Sequence, residues 1–518
     1  MPSSAYTFYK RFIHMSEHNP DIHNTAQHLQ FADFLSLADT EQDPHISADL
    51  VLAHTCATAI AEAGGHALVV GGFARDLVID ATHDTDTASK DIDIEVYGLA
   101  FENMEQVLDQ YGKVDLVGQS FGIAKLTNPH TGNVIDFSIP RRDSKVDKGH
   151  KGFQVTGDPH MSIAEAARRR DFTMNTLALD PITGELHDWY GAIDDIKHKT
   201  LRATDPELFT DDPLRVLRGM QFAARFDMTM EEETVELCRK LDLHELSKER
   251  IGEEWVKLLT KAEKPSVGLK LAKEIGILRT LHPELDVLEQ IEQEPEWHPE
   301  GNVWNHTMLV VDAAAKIVRT EQLEGDDALT VLLGALCHDL GKTTTTERRL
   351  KNDVMRITAY GHDAAGEEPA RKLMATLNIK KDIVQKVIPI VKNHMFHVGN
   401  PEPNEKQIRK LALRLQPASI RLWDLVCRSD SNGRGDIFRG KTASYDIYAR
   451  AMELEVDKQP PAKLVFGRDL LALELGLQEG PGLGMMLKAI YEAQINGEFT
   501  TVEEGICYAR DNFDKLKQ

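Results

Sequence analysis

The run Asp91-Ile92-Asp93-Ile94-Glu95-Val96 alternates acid and aliphatic residue without a break. Side chains on a strand point to opposite faces in turn, so burying Ile92, Ile94 and Val96 lines up Asp91, Asp93 and Glu95 on the other face. Carboxylates held together in this way need cations or water around them. Upstream, the apolar stretch His66-Ala-Leu-Val-Val runs into Gly71-Gly72-Phe73-Ala74-Arg75-Asp76. A strand that ends in a glycine turn and opens a helix offers backbone N–H groups to phosphate oxygens. A phosphate cradle followed by two carboxylates is the minimum equipment for moving a nucleotide from a triphosphate onto a hydroxyl. Divalent ions at such carboxylates favour attack and neutralise the leaving phosphates, and Mg2+ prefers oxygen ligands of this kind. Asp91 and Asp93 are therefore the expected metal-holding catalytic pair, and Gly71 and Gly72 the expected phosphate cradle.

At 518 residues the chain has room for roughly three or four domains of about 150 residues. Its net charge of −23 speaks against broad, non-specific duplex binding. Arg141-Arg142 and Arg168-Arg169-Arg170 are the places where a local basic groove can lie. Five cysteines with no C-x-x-C pair point to a reducing, cytoplasmic setting and away from a thiolate zinc site. No apolar run reaches the 18 or so residues of a membrane span, and the N-terminus lacks a signal layout.

Five regions are expected: an extension over 1–48, a nucleotide-handling head over 49–160, a helical neck and body over 161–290, a second helical block over 291–455 and a helical tail over 456–518. In the head, 121–126 and 133–139 read as a hairpin across Asn128-Pro-His-Thr-Gly, with Asp136 on its second strand. From Ile163 onward the pattern reads as almost wholly helical. The Pro- and Glu-rich stretch 290–303 reads as a boundary.

Two further clusters suit a nucleotide. Arg169-Arg170-Asp171-Phe172-Thr173-Met174-Asn175 packs two cations, a carboxylate and an amide into seven residues; guanidinium forks match phosphate oxygens, and a carboxylate accepts from ribose hydroxyls. Asp212-Pro213-Leu214-Arg215-Val216-Leu217-Arg218 opens a helix, with Asp212 and Arg215 three apart on one face. Side by side, such a pair can read the Watson–Crick edge of a base without a template.

A second chemistry is suggested by His306, His338-Asp339, His362, His394 and Asp430, each on its own helical segment save the His338-Asp339 pair. Imidazole and carboxylate bind Zn, Ni, Mn or Fe ions with an open position for water.

These motifs resemble those of the class II tRNA nucleotidyltransferase and poly(A) polymerase family, which includes the bacterial CCA-adding enzymes; the match spans about 64 to 260. By that resemblance Asp91 and Asp93 hold the catalytic Mg2+ ions, with Asp136 the candidate third carboxylate. Gly71, Gly72, Arg75, Asp76, Arg169, Arg170, Asp171 and Asn175 fall in the motifs that bind phosphates and ribose. Asp212 and Arg215 fall on the base-selecting pair, with Arg218 beside them. Asp211 stands where the family usually has Glu. The segment 141–158 sits where the family has the flexible loop that helps the change from CTP to ATP. The second block resembles the HD phosphohydrolase domain. There His306, His338, Asp339 and Asp430 would bind one transition metal (Ni, Mn, Zn, Fe or Co), and His362 and His394 a second.

The resemblance implies an α+β chain: a small mixed-sheet head of polymerase β type, then an all-α neck and body, an all-α HD domain and a helical tail. It implies CCA addition to tRNA from CTP and ATP, with hydrolysis of phosphomonoester or 2′,3′-cyclic phosphate ends by the HD domain. An A-adding enzyme or poly(A) polymerase is the nearest rival; a metal phosphohydrolase with an RNA-binding head is the rival from another class.

Overall fold

The computed structural model describes residues 27–28, 44–83, 91–117, 122–145, 153–434, 442–471, 473 and 479–516. Contacts divide the chain into two compact units, Met1–Glu245 and Leu246–Gln518. The division falls inside the stretch 161–290.

The first unit is built on an eight-stranded sheet. In chain order it holds β1 (Gln27–His28), helix α1 (Pro44–Glu62), β2 (His66–Val70), α2 (Gly72–His83), β3 (Asp93–Tyr97), β4 (Lys113–Val117), β5 (Ile123–Thr127) and β6 (Val134–Ser138). The strands β7 (Arg141–Lys145) and β8 (Phe153–Gly157) pair separately. After them come α3 (Ile163–Arg168), β9 (Ala178–Leu179) and β10 (Glu185–His187), then β11 (Thr200–Leu201), α4 (Leu214–Phe226) and β12 (Thr229–Met230). The sheet order is β1-β10-β9-β2-β3-β6-β5-β4. It is mixed: β2 and β3 are antiparallel, while β3 and β6 are parallel.

The alternation read at 91–96 is borne out. Ile92, Ile94 and Val96 are buried, as are Ala67, Val69, Ala124, Leu126, Ile135 and Phe137 on the same face. On the other face Leu68, Val70, Tyr97 and Ala178 pack under α3 through Met161 and Ala166, leaving the Asp93 end of that face polar.

The α+β class stands, with two local corrections. Residues beyond 163 are not wholly helical, because β9 and β10 join the head sheet beside β2. At two and three residues these strands are too short to show a period. The head sheet therefore extends past 160.

The second unit contains α5 (Lys248–Lys261), α6 (Val303–Thr320), α7 (Gly325–Cys337), α8 (His362–Ala365), α9 (Lys381–Asn393) and α10 (Ile420–Asn432). Apolar stripes on these helices meet in one core that includes Val310, Val311, Val331, Leu332, Leu336, Val387, Ile390 and Val426. The second correction lies here: the block is not all helical. The hairpin β13 (Glu347–Lys351) and β14 (Val354–Thr358) stands between α7 and α8, turning at Asn352 and Asp353 with φ of 51° and 61°. Two left-handed residues make the tight turn that suits a twisted hairpin; charge along both strands hides the alternation. The tail helices α11 (Pro481–Asn496) and α12 (Val502–Asp511) close on Leu483, Met486, Ile490 and Phe499.

Of the expected extension 1–48, only 27–28 and the start of α1 lie among the described residues. Of the 141–158 segment, 146–152 lie outside them.

Candidate active site and candidate metal centre

In the first unit, register places the carboxylates. The parallel pairing of β3 with β6 sets Asp93 beside Asp136, and the antiparallel pairing of β5 with β6 sets Lys125 beside Asp136. Paired residues share a face. Lys125 Nζ lies 2.8 Å and 2.5 Å from the two Asp136 oxygens. Asp91 precedes β3 by one turn of alternation and is exposed. Asp93 keeps solvent access, yet protein packed around its carboxylate, with Asp136 and Asp91 adding repulsion, raises its pKa to about 6. A group of carboxylates that repel one another in this way favours a bound cation.

The glycine turn comes within reach of this group. Gly71 has φ +72°, and a Cβ built there would lie 3.4 Å from Asp93 Oδ2. The left-handed conformation and the close approach both favour glycine. Gly72 then opens α2.

The other expected nucleotide residues form a linked brace. Arg75 is buried; its Nε donates to Asp76 Oδ1 at 2.7 Å and its Nη1 to Asn175 Oδ1 at 2.8 Å. Its guanidinium lies 4.6 Å from the Phe226 ring centroid. Asn175 Nδ2 donates to Asp171 Oδ1 at 2.8 Å, and Arg218 Nε to Asp171 Oδ2 at 2.5 Å. One hydrogen-bonded chain thus ties α2, the 171–175 turn and α4. Arg75 and Asp76 lie inside this brace, where they can position the turn.

Arg170 bridges Glu95 Oε2, at 3.2 Å, and the Asn175 carbonyl, at 2.9 Å. Arg215 donates to the carbonyls of Leu208 and Arg169 at 2.8 Å and 2.7 Å, which fixes the plane of its guanidinium at the start of α4. Asp212 Oδ1 accepts from Leu214 N at 3.0 Å. Arg169 has its pKa lowered by burial and then by the neighbouring Arg141 and Arg215. Three cations that repel one another beside a phosphate-type turn suit a polyanion.

In the second unit six expected ligands from five elements converge. His306 comes from α6, His338-Asp339 from the end of α7, His362 from α8, His394 from the end of α9 and Asp430 from α10. All are buried. His306 Nε2 lies 3.0 Å from Asp430 Oδ1 and 3.6 Å from Asp339 Oδ2; His338 Nε2 lies 3.2 Å from Asp339 Oδ2. His362 Nε2 and His394 Nε2 lie 3.4 Å and 4.0 Å from Asp339 Oδ1. Asp339 is therefore shared by two ligand groups, one with His306 and His338 and one with His362 and His394.

The Nδ1 atoms settle which ring nitrogen faces inward. His338, His362 and His394 place Nδ1 on the carbonyls of Ala335, Ala359 and Val391 at 2.7, 2.7 and 2.6 Å. His306 places Nδ1 2.7 Å from Glu300 Oε1. A ring in its neutral form then presents its Nε2 lone pair to the centre; at His306 burial pushes the pKa down, but the Asp430 and Glu300 carboxylates outweigh it and raise it. Yet Nε2 of His306 and His338 are 3.3 Å apart, and those of His362 and His394 are 3.1 Å apart. Two lone pairs at that distance repel unless a cation or proton lies between them. Burial and the neighbouring His362 and His338 push the His394 pKa down to about 3, so a proton is disfavoured there and the donor set fits a divalent metal. Burial pushes Asp339 upward, but His338 and Lys342 outweigh it and hold its pKa well below the usual carboxylate range.

Several residues of this centre carry no assignment in the sequence reading. Lys342 Nζ sits 2.7 Å from Asp339 Oδ2 and 2.7 Å from Gln293 Oε1. Arg434 reaches both Asp430 oxygens at 3.0 Å and 2.8 Å. Glu300, which also meets His298 Nδ1 at 2.8 Å, lies in the stretch read as a boundary. Gly341 permits the packing of α8: a Cβ there would fall 2.0 Å from the His362 carbonyl oxygen.

Three family models match the chain: the poly A polymerase head domain over 67–202, the probable RNA and SrmB-binding site of polymerase A over 227–288, and the HD domain over 303–418. Relatives named multifunctional CCA protein include one from Xanthomonas campestris pv. campestris strain B100, 32% identical over 329 residues, 61% of this chain and 76% of the relative. Another, from Pasteurella multocida strain Pm70, is 32% identical over 405 residues, 75% of this chain and 90% of the relative. Among solved structures, the CCA-adding enzyme of Bacillus stearothermophilus in complex with CTP has a TM-score of 0.61 at 18% identity, covering 92% of this chain and all of that one. That of Thermotoga maritima, complexed with tRNA, has a TM-score of 0.56 at 18% identity, covering 94% and 99%. The two structures share the fold.

Proposed function

The chain belongs to the family of multifunctional CCA proteins, and from that premise we propose that it adds CCA to the 3′ end of tRNA from CTP and ATP and hydrolyses terminal phosphates at its HD centre. The observation that carries the first activity is the pairing of Asp93 with Asp136 at one register, with the Gly71 backbone against Asp93.

Asp91, Asp93 and Asp136 suit Mg2+, which when bound stabilises charge on phosphate oxygens. The N–H groups of the glycine turn and the cations Arg169 and Arg170 hold the triphosphate. Asp171 and Asn175, braced by Arg75 and Arg218, keep the ribose side in place. Asp212 and Arg215 read the base; the two carbonyl anchors on Arg215 stop it swinging away when the incoming base changes from C to A. Lys125, in contact with both oxygens of Asp136, holds that carboxylate in place.

At the HD centre the six ligands suit a transition metal such as Ni, Mn, Zn, Fe or Co, which when bound supplies a Lewis acid for phosphate ester hydrolysis. Glu300 and the three backbone carbonyls orient the histidines; Lys342 and Arg434 offset the charge of Asp339 and Asp430. A cytoplasmic setting is supported by five free thiols. Among the described residues no helix is long and apolar enough to cross a membrane.

The test is nucleotide addition to a tRNA transcript ending before CCA, with Mg2+ and each triphosphate singly or CTP with ATP. Two C residues, one A and a stop are expected. Addition of A alone, or an unlimited A tail, would move the chain to the A-adding or poly(A) branch.

A further inference from the structure

Between the ligands Asp339 and His362 the chain leaves its helices and forms the β13–β14 hairpin. Arg349 pairs with Arg356, Lys351 with Val354 and Leu350 with Met355. The hairpin carries Arg348, Arg349, Lys351 and Arg356 against Glu347 and Asp353, so it is a net cation in a chain of net charge −23. Arg356 is tied to Glu294, with 2.8 Å between Nη1 and Oε1, and Arg348 to Glu292 at 2.6 Å. These bonds fasten the hairpin to the 292–296 stretch that leads to Glu300.

Directly after β14 the turn Ala359-Tyr360-Gly361 leads into His362. Gly361 has φ +76°, and His362 Nδ1 folds back onto the Ala359 carbonyl. Tyr360 is 60% exposed, and the Arg349 guanidinium lies 5.5 Å from its ring centroid. Two residues of chain span at most about 7 Å, so Tyr360 stands at the rim of the metal centre. His362 is also the most open of the six ligands, at 7% exposure against 3% or less for the other five. The ligand with the most exposed surface is thus the one that follows Tyr360 by two residues.

We propose that Tyr360, backed by Arg349, is the platform on which the terminal nucleobase of an RNA 3′ end stacks while its phosphate reaches the metal centre past His362. This rests on the hydrolase reading of that centre and assigns recognition of the base there to Tyr360. An exposed aromatic ring next to a phosphate-directed metal site offers a π-face to any base. Arg349, also paired with Glu347, stands against the ring and adds a cation–π contact to it. A lone phosphate ester gains nothing from the ring, so the platform acts on binding of the nucleotide and leaves the hydrolytic step alone.

The test compares hydrolysis of adenosine 3′-monophosphate and of glycerol 2-phosphate by the full chain in Mn2+ or Ni2+. Tyr360→Ala should raise KM for the nucleotide about tenfold, the size of one base–aromatic stack, with kcat and both constants for the glycerol ester unchanged. Tyr360→Trp should restore the nucleotide KM. Unaltered nucleotide KM in Tyr360→Ala, or an equal change for both esters, would overturn the proposal. Turnover of both esters that survives His338→Ala, or a wild type inert to both, would instead overturn the hydrolase reading beneath it.

Discussion

In the first unit Asp93 and Asp136 meet because β3 and β6 pair in parallel, with Asp93 left open to solvent; in the second, six side chains from five elements meet inside a helical core. The first arrangement needs little beyond backbone hydrogen bonds, since register alone sets the spacing. The second has no ladder to rely on. Each histidine is aimed separately, by a carbonyl three residues back or, for His306, by Glu300. A sheet-borne site is therefore sensitive to its ligands and tolerant around them. A helix-borne site is sensitive to its ligands and to their supports.

The sharpest way to break the comparison is a reciprocal pair. Asp93→Ala should lower nucleotide incorporation by at least about 10²–10³-fold, the scale of losing one preorganised charge-stabilising group, and leave phosphohydrolase activity intact. His338→Ala should do the reverse. Both are read by assaying both activities on each variant; loss of both in either one would show that the centres are coupled.

Next in size is the support itself. Glu300→Ala should weaken metal binding at the helical centre by about 10–100-fold, read by titrating chelator-treated protein with Mn2+ and following phosphohydrolase recovery. Incorporation should not change. A full-strength centre in that variant would mean that the position of His306 is set by α6 alone.

A smaller effect is expected at Asp212. Its replacement by Ala should cut the preference for CTP and ATP over UTP and GTP by about tenfold, the range of one lost discriminating contact, with overall incorporation less affected. Unchanged selectivity would remove Asp212 from base reading.

The smallest concerns the sheet that carries the open site. His66 Nε2 lies 3.2 Å from Asp180 Oδ2. The hydrogen bond to Asp180 raises the His66 pKa above its ordinary 6.5. For Asp180, burial pushes upward, but His66 and the N–H groups of Thr183 and Ile182 outweigh it and lower its pKa from 3.8 to about 2. The raised histidine contributes stability that is complete below pH 6.5 and lost as pH rises through its folded value. The lowered carboxylate contributes stability present above pH 3.8 and lost as pH falls through about 2. His66→Ala should thus destabilise most between about pH 4 and 6.5. Because His66 is 42% exposed, the effect should stay under about 1 kcal/mol, and it should shrink at pH 9. Thermal unfolding at pH 5.5 and pH 9 reads the difference.

What the sequence shows of these two regions follows the same division. The strand at Asp93 is legible because alternation is a local signal, and its acid face follows from its apolar face. The metal ligands stand out because five positions bearing His or Asp fall each on its own helical segment, with His338-Asp339 closing the apolar run of α7. Lys125 is not legible, since nothing local says which residue will lie across from Asp136. Glu300 sits in a stretch whose prolines and acids read as a linker, yet that stretch forms a wall of the centre. Arg434 and Lys342 stand four and three residues from Asp430 and Asp339, so helical spacing alone is enough to flag them. The strands β9 and β10 are too short for any period to reveal, and they carry the head sheet beyond its expected end.

The shared register of Asp93 and Asp136 also makes the open site a matter of parity. Residues can be gained or lost in the turn that joins β5 and β6 at small cost. One residue gained or lost within β6 exchanges the two faces of that strand: Asp136 would enter the layer now filled by Ile135 and Phe137, and those side chains would face the phosphates. Change inside this strand is tolerable in steps of two, while the turn beside it can vary one residue at a time. Length variation among relatives should therefore collect at the turn and leave the strand count between Val134 and Ser138 alone.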